Sequence, residues 1–165
     1  MSLPTPGAEA NRSGRLLERF VIETMRSHGF IIQPYSVDAD NRDWISPNRV
    51  LTNVPYKSIY GFAGARSEFV IVAETLDRRI RVECKYQESA GSIDEKFPYM
   101  HRNALIVPER EVIFLLGGVG AKPGAVEWLR RECETESGGK ILSVHDMHSF
   151  PSWAKQFATS AKRAT

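Results

Sequence analysis

Two kinds of apolar pattern alternate along the chain. In some stretches the apolar residues recur every three or four positions, and in others they crowd together over a few residues. Leu16, Leu17, Phe20, Val21, Met25 and His28 keep helical spacing, with Ser13 placed as an N-cap and Gly29 as a stop, so a helix is predicted over 13–28. Phe30-Ile31-Ile32 predicts a short strand. Residues 68–75 and 79–87 are rich in Val, Ile and Phe around Asp77-Arg78, which predicts a β-hairpin. Ser92-Ile93-Asp94-Glu95 matches the capping box S-x-x-E and predicts a helix to about residue 105. The nearly continuous apolar run 111–116 predicts a strand buried on both faces. A glycine-rich turn over 117–124 then leads into a helix whose first turn holds Pro123 and which reaches about residue 134. A strand over 141–144 and a helix over 153–161 follow.

Two segments lack such patterns. Residues 1–12 are rich in Pro, Gly and Ala and predict a flexible N-terminal tail. Residues 33–66 are interrupted by Pro34, Pro47 and Pro55 and predict a long connector with one or two small strands. The element order predicts one domain over 13–165, an α/β fold with a mixed central sheet flanked by helices.

Composition narrows the class. Of 165 residues 42% are apolar and 25% charged, which excludes disorder of the chain as a whole. No run approaches the length of a membrane span and the N-terminus has no secretory apolar core, so a cytoplasmic location with no membrane partner is expected. Two cysteines are too few for a disulfide scaffold or a zinc site. A net charge of +2 leaves open whether the partner is a nucleic acid, and the placement of the charges must decide.

The chemistry concentrates in the second hairpin strand. Alternation puts Ile80, Val82, Cys84 and Tyr86 on one face and Arg81, Glu83, Lys85 and Gln87 on the other. Such alternation is most often a solvated polar face. Here, however, Glu-x-Lys sets a carboxylate suited to Mg²⁺ beside an amine suited to orienting water. Glu68, on the partner strand, shares that face if paired residue numbers sum to an odd value, and a one-residue slip moves it to the opposite face. In the first register Val70 and Val72 lie on the polar face as well. Something must then cover it, and covered carboxylates need a cation or a donor.

Glu83-Cys84-Lys85, the upstream acid Glu68 and the helix Gly14-Arg15-Leu16-Leu17-Glu18-Arg19 together resemble the PD-(D/E)XK nuclease superfamily, which has the restriction-endonuclease-like fold. The helix is similar to the first helix of archaeal Holliday-junction resolvases, and the resemblance covers it and roughly residues 66–118. No Pro-Asp dipeptide precedes the strand; the upstream acid is Glu68, preceded by Ser67. The resemblance implies Mg²⁺-dependent endonucleolytic hydrolysis of DNA, with Mn²⁺ able to substitute. It implies Glu68, Glu83 and the backbone carbonyl of Cys84 as metal ligands, and Lys85 as the residue that positions water and stabilises charge. Glu18 would serve a second metal or support the first, and Gln87 and Lys96 would lie near the site. By spacing alone Glu18 sits at the edge of the buried stripe, where an ordinary solvated glutamate is an equal reading. A homodimer is common in such families. The alternative is a catalytically inactive nucleic-acid-binding or assembly protein that kept the fold.

The connector mixes cations with aromatics: Arg42, Trp44, Arg49, Tyr56, Lys57, Tyr60 and Arg66. Such a mixture grips phosphates and stacks on bases, with Arg42, Arg49, Lys57 and Arg66 as the candidate DNA contacts. It equally suits the core of a small subsheet with solvated charges around it. Gly117-Gly118-Val119-Gly120-Ala121-Lys122 lacks the G-K-[ST] of a phosphate loop, so no nucleotide cofactor is expected. His145 and His148 flank Asp146 without a third ligand nearby and read as a surface loop.

Overall fold

The first long helix begins earlier than its capping pattern suggests. A computed structural model describes residues 6–37, 46–89 and 92–164, and in it α1 spans Pro6–Ser27. Ser13 is thus an interior residue rather than the cap, and residues 6–12, read as tail, are helical. Proline at the first helical position has its φ preset for a helix and loses no hydrogen bond there. The buried stripe is narrower than expected: Leu17, Val21 and Met25 are fully enclosed, whereas Leu16 is 53% exposed.

Next come β1 (Ile31–Pro34), β2 (Asn48–Tyr56), β3 (Ala65–Ala73), β4 (Arg78–Tyr86), α2 (Ile93–Ile106), β5 (Glu111–Gly117), α3 (Pro123–Thr135), β6 (Ile141–Asp146) and α4 (Ser149–Arg163). The strands form one mixed sheet in sequence order. Pairs β1–β2, β4–β5 and β5–β6 are parallel, and β2–β3 and β3–β4 antiparallel. This is the α/β architecture expected, a six-stranded sheet with helices on both faces.

Side-chain alternation divides the core. Phe69, Ile71, Ile80, Val82, Cys84, Ile113 and Leu115 pack under α1 and α4. Val112 and Phe114 face the other way, against Ile93, Phe97 and Met100 of α2 and Leu129 and Cys133 of α3. Strand β5 is therefore covered on both sides, which is why its sequence is almost uninterruptedly apolar.

The connector differs most from its sequence reading. It holds β2, a nine-residue strand in the sheet interior with Arg49, Val50 and Leu51 fully buried. Pro47 precedes the strand, and Pro55 lies beyond the stretch of β2 that β1 covers, where a missing N–H costs no bond to β1. Arg42 and Trp44 lie outside the described residues.

The glycine-rich segment after β5 is a packing device. Gly118 has φ +78°, and a β-carbon there would collide with the backbone of Gln87. Gly120 donates its N–H to Gln87 O at 2.8 Å, so the loop lies against the chain leaving β4. Asp146, between the two histidines, is occupied in the turn that leads from β6 into α4. It accepts from the N–H groups of His148 (2.9 Å) and Ser149 (2.7 Å). Among the described residues no helix is long and apolar enough to cross a membrane.

Candidate active site

Strands β3 and β4 run as a ladder from Ala73↔Arg78 to Phe69↔Val82 and then part, while β4 continues to Tyr86 alongside β5. The paired numbers sum to an odd value, the register that puts Glu68 level with Glu83. A second irregularity lies beside the split. Asn53 of β2 has φ +59°, and Leu51 and Val54, an odd number of positions apart, both join the cluster of Val70 and Val72. The alternation of β2 is reset at Asn53, and that of β3 is reset opposite it. Ser67, rather than Glu68, therefore lies against Glu83 and Arg81: its hydroxyl donates to Glu83 Oε1 and accepts from Arg81 Nη1 at 2.5 Å.

This corrects the expectation that Glu68 shares a sheet face with Glu83 and Lys85. Glu68 sends its carboxylate into the opening between the strands, where Oε2 accepts from the backbone N–H of Cys84 at 3.1 Å. The Lys85 ammonium reaches the same opening. It donates to Cys84 O at 2.9 Å and lies 3.5 Å from Glu68 Oε1. Glu83 and Lys85 line a cavity of about 170 Å³ on the α2 side, with Arg66, Lys96, Tyr56 and Tyr99. Glu18 and Glu68 line a second cavity, about 450 Å³, on the α1 side. Arg66 borders both. Glu18, Glu68, Glu83 and Lys85 thus come together across the sheet, through the gap where β3 leaves β4.

The electrostatics of this cluster are those of crowded carboxylates with too little positive charge. Burial and the nearby Glu68 push the Glu83 carboxyl up to about 7, against the opposing pull of Lys85, Ser67 and Arg81. Glu18 is raised by burial and by Glu68. Burial alone would lower the pKa of Lys85, but Glu68 and Glu83 outweigh it and the net shift is upward, so the amine stays protonated. The Tyr56 phenol, pushed up to about 12 by burial and by Glu83, stays neutral.

Behind Glu83 stands a buried support that no sequence spacing announces. Arg81, 1% exposed, donates through Nε to Glu109 Oε2 at 2.6 Å and holds its guanidinium 5.2 Å from the centre of the Tyr56 ring. Glu109 lies 28 residues further along the chain, after α2, and is 4% exposed at the side chain. Only the fold brings the two together.

Several expected site residues go elsewhere. Gln87 is a structural cap: its Oε1 accepts from Ile93 N–H at 3.0 Å at the start of α2, and its Nε2 donates to Ser89 O at 2.7 Å. Ser92 makes no side-chain cap, and Gln87 instead satisfies the first N–H of α2, that of Ile93. Arg49 is fully buried and bound to Glu74 at 2.7 Å, which withdraws it from any DNA surface. Lys57, Arg66 and Lys96 are exposed.

The donor set is all oxygen: the carboxylates of Glu68, Glu83 and Glu18 and the Cys84 carbonyl. Among the described residues no three His, Cys, Asp or Glu side chains stand ready-made as a metal site. The Lys85 ammonium sits between two of the oxygens a metal would take, Glu68 Oε1 and Cys84 O. The residues fit a hard divalent cation provided that Lys85 turns aside, and the unbalanced negative charge favours its entry.

No curated protein matches the sequence. The family model of the PD-(D/E)XK nuclease superfamily domain matches residues 9–158, which takes in α1, the whole sheet and the carboxylate cluster. With that match spanning nearly the entire chain, the protein belongs to the PD-(D/E)XK nuclease superfamily.

Proposed function

We infer that the protein is a Mg²⁺-dependent endonuclease that hydrolyses DNA phosphodiester bonds. Membership of the superfamily gives a nuclease-type function and a nucleic acid as substrate. The finer reading rests on one observation: Glu68, Glu83 and Lys85 converge at the split between β3 and β4, where Glu83 and Lys85 share a cavity with Arg66 and Lys96. Glu68, Glu83 and the Cys84 carbonyl would hold the cation, with Glu18 adding charge from the α1 side. When bound, the cation supplies concentrated positive charge at the phosphate and a lowered water pKa. Lys85, displaced from Glu68, would turn its ammonium toward the phosphate and orient a water by hydrogen bonding. Arg66 and Lys96 would hold the strand in register through phosphate contacts. A homodimer would bring two such sites to two strands.

Metal dependence tests this reading. Cleavage of plasmid, linear, single-stranded and branched DNA is expected with Mg²⁺ or Mn²⁺, binding without cleavage with Ca²⁺, and neither activity nor product in EDTA. Mg²⁺ demands near-octahedral oxygen geometry at about 2.0–2.1 Å, whereas Ca²⁺ accepts looser geometry at about 2.3–2.6 Å and aligns water poorly. Robust cutting in EDTA would exclude the mechanism. An inert protein that binds DNA equally well with and without metal would favour the inactive-binder alternative.

The DNA-contact assignments shrink to Lys57 and Arg66 among the described connector residues. Replacing both by Ala is expected to weaken duplex binding and to lower the slope of log K against log salt by as much as about 1.8, or about 0.9 per lost phosphate contact. An unchanged slope would return both side chains to ordinary surface.

A further inference from the structure

Building on the nuclease reading, we propose that Tyr60, backed by Tyr99, is a stacking platform for one unpaired nucleobase beside the cleaved phosphate, so that the preferred substrate carries single-stranded character there. Tyr60 is 79% exposed, an unusual place for a large ring, and it stands in a short loop between β2 and β3. That loop is pinned. Ser58 N–H donates to Phe62 O at 3.0 Å, and Gly61 N–H donates to Ser58 O at 2.8 Å. Ile59 N–H donates to the Asn103 side chain of α2 at 2.9 Å.

The platform also has backing. One face of Tyr60 stacks on Tyr99, with ring centroids 5.4 Å apart and planes 23° off parallel. Tyr99 in turn lines the cavity that holds Glu83 and Lys85. The other face of Tyr60 is open. A solvent-exposed ring on a hydrogen-bonded loop, supported from behind by Tyr99, which itself lines the candidate catalytic cavity, has the geometry for taking up a base by stacking. The surrounding charge suits the same occupant, since Lys57, Arg66 and Lys96 are exposed cations on this side. A paired base has its faces covered within the duplex, so only an unpaired one presents a free face to Tyr60.

An oligonucleotide carrying one 2-aminopurine tests this, single-stranded and as a duplex, with Ca²⁺ in place of Mg²⁺. The wild type is expected to quench the single-stranded probe. Tyr60→Ala should lose the quench and bind the single strand about five-fold or more weakly, the lower end of the cost of one base–aromatic stack. Duplex affinity and the salt slope should stay within two-fold and unchanged, respectively. Tyr60→Trp should keep the quench, and the melting temperature of each variant confirms folding. Absence of quench in the wild type, unchanged single-strand affinity in Tyr60→Ala, or equal losses on duplex and single strand would each overturn the platform. Cleavage of the same oligonucleotides in Mg²⁺ reports separately on the nuclease reading. Quench without any cleavage would leave the platform standing and sink that reading, and cleavage with no Tyr60-dependent quench would do the reverse.

Discussion

Glu83→Gln is expected to abolish cleavage and, at the same time, to make the metal-free protein more stable at neutral pH. The two effects share one cause. Burial and the neighbouring Glu68 raise the Glu83 carboxyl from 4.5 to about 7, so its charged form is the disfavoured one when no cation is bound. The folded state therefore binds this proton more tightly than the unfolded chain does. Its contribution to stability is full below about pH 4.5 and is lost as the pH rises to about 7. Glutamine imitates the protonated carboxyl at every pH and avoids that loss. In EDTA, the stability of wild type relative to Glu83→Gln should fall between pH 5 and pH 8, by roughly 1–3 kcal/mol. Thermal or urea denaturation at several pH values measures it. In Mg²⁺ the wild type should regain the difference, because a cation stabilises the ionised carboxylate, while the variant gains little. Cleavage should drop to background, and Lys85→Ala, which leaves the carboxylates in place, should lose ~10²-fold or more, as when a charge-stabilising donor is removed from an active site. Full activity in both variants would remove Glu83 and Lys85 from the mechanism, and a pH-independent stability difference would remove the electrostatic account of the cluster.

The elements with strong local signals were legible. The apolar run of β5, the hairpin β3–β4 and the proline-started helix α3 need little beyond their own residues to specify them. The alternation Arg81-Val82-Glu83-Cys84-Lys85 likewise set the polar side chains on the α2 side and Cys84 under α1 and α4. What local pattern could not reveal depends on neighbours distant in sequence. Strand β2 reads as a broken connector because Pro47 precedes it and Pro55 and Arg49 lie within it. It becomes a strand because Glu74, 25 residues on, neutralises Arg49, and because β1 and β3 take up its hydrogen bonds. The position of Glu68 depends on Asn53 adopting a left-handed conformation one strand away, which resets the alternation that sequence reasoning extrapolates. Gln87 carries the right residue type at the right spacing for a site role, but α2 starts where its side chain is needed as a cap.

The Arg81–Glu109 pair is the place where one substitution should cost the most stability. Both side chains are nearly inaccessible, at 1% and 4%, and they meet at 2.6 Å. Arg81→Met would leave the Glu109 carboxylate buried without its cation and remove a donor from Ser67 Oγ. Removing one partner of a buried ion pair typically costs about 3–5 kcal/mol, because the survivor keeps its desolvation penalty and loses its compensation. Lys140 makes good only part of the loss: it feels the Glu109 charge, but its ammonium donates to the backbone carbonyls of Val107 and Glu109 rather than to the Glu109 carboxylate. The double variant Arg81→Met/Glu109→Leu removes both buried charges, the first beside Val107 and Val112 and the second beside Pro108 and Ile141, and should recover most of the stability. Its activity should nevertheless remain low. Ser67 would no longer be held between Arg81 and Glu83, so the carboxylate would lose the group that fixes its orientation at the strand split. Urea unfolding of the single and double variants gives the coupling energy, and Mg²⁺-dependent cleavage by the refolded double variant gives the positioning effect. Equal destabilisation in single and double variants would mean that the pair contributes as packing volume alone. Wild-type cleavage by the double variant would mean that Glu83 is oriented without the Arg81–Ser67 link.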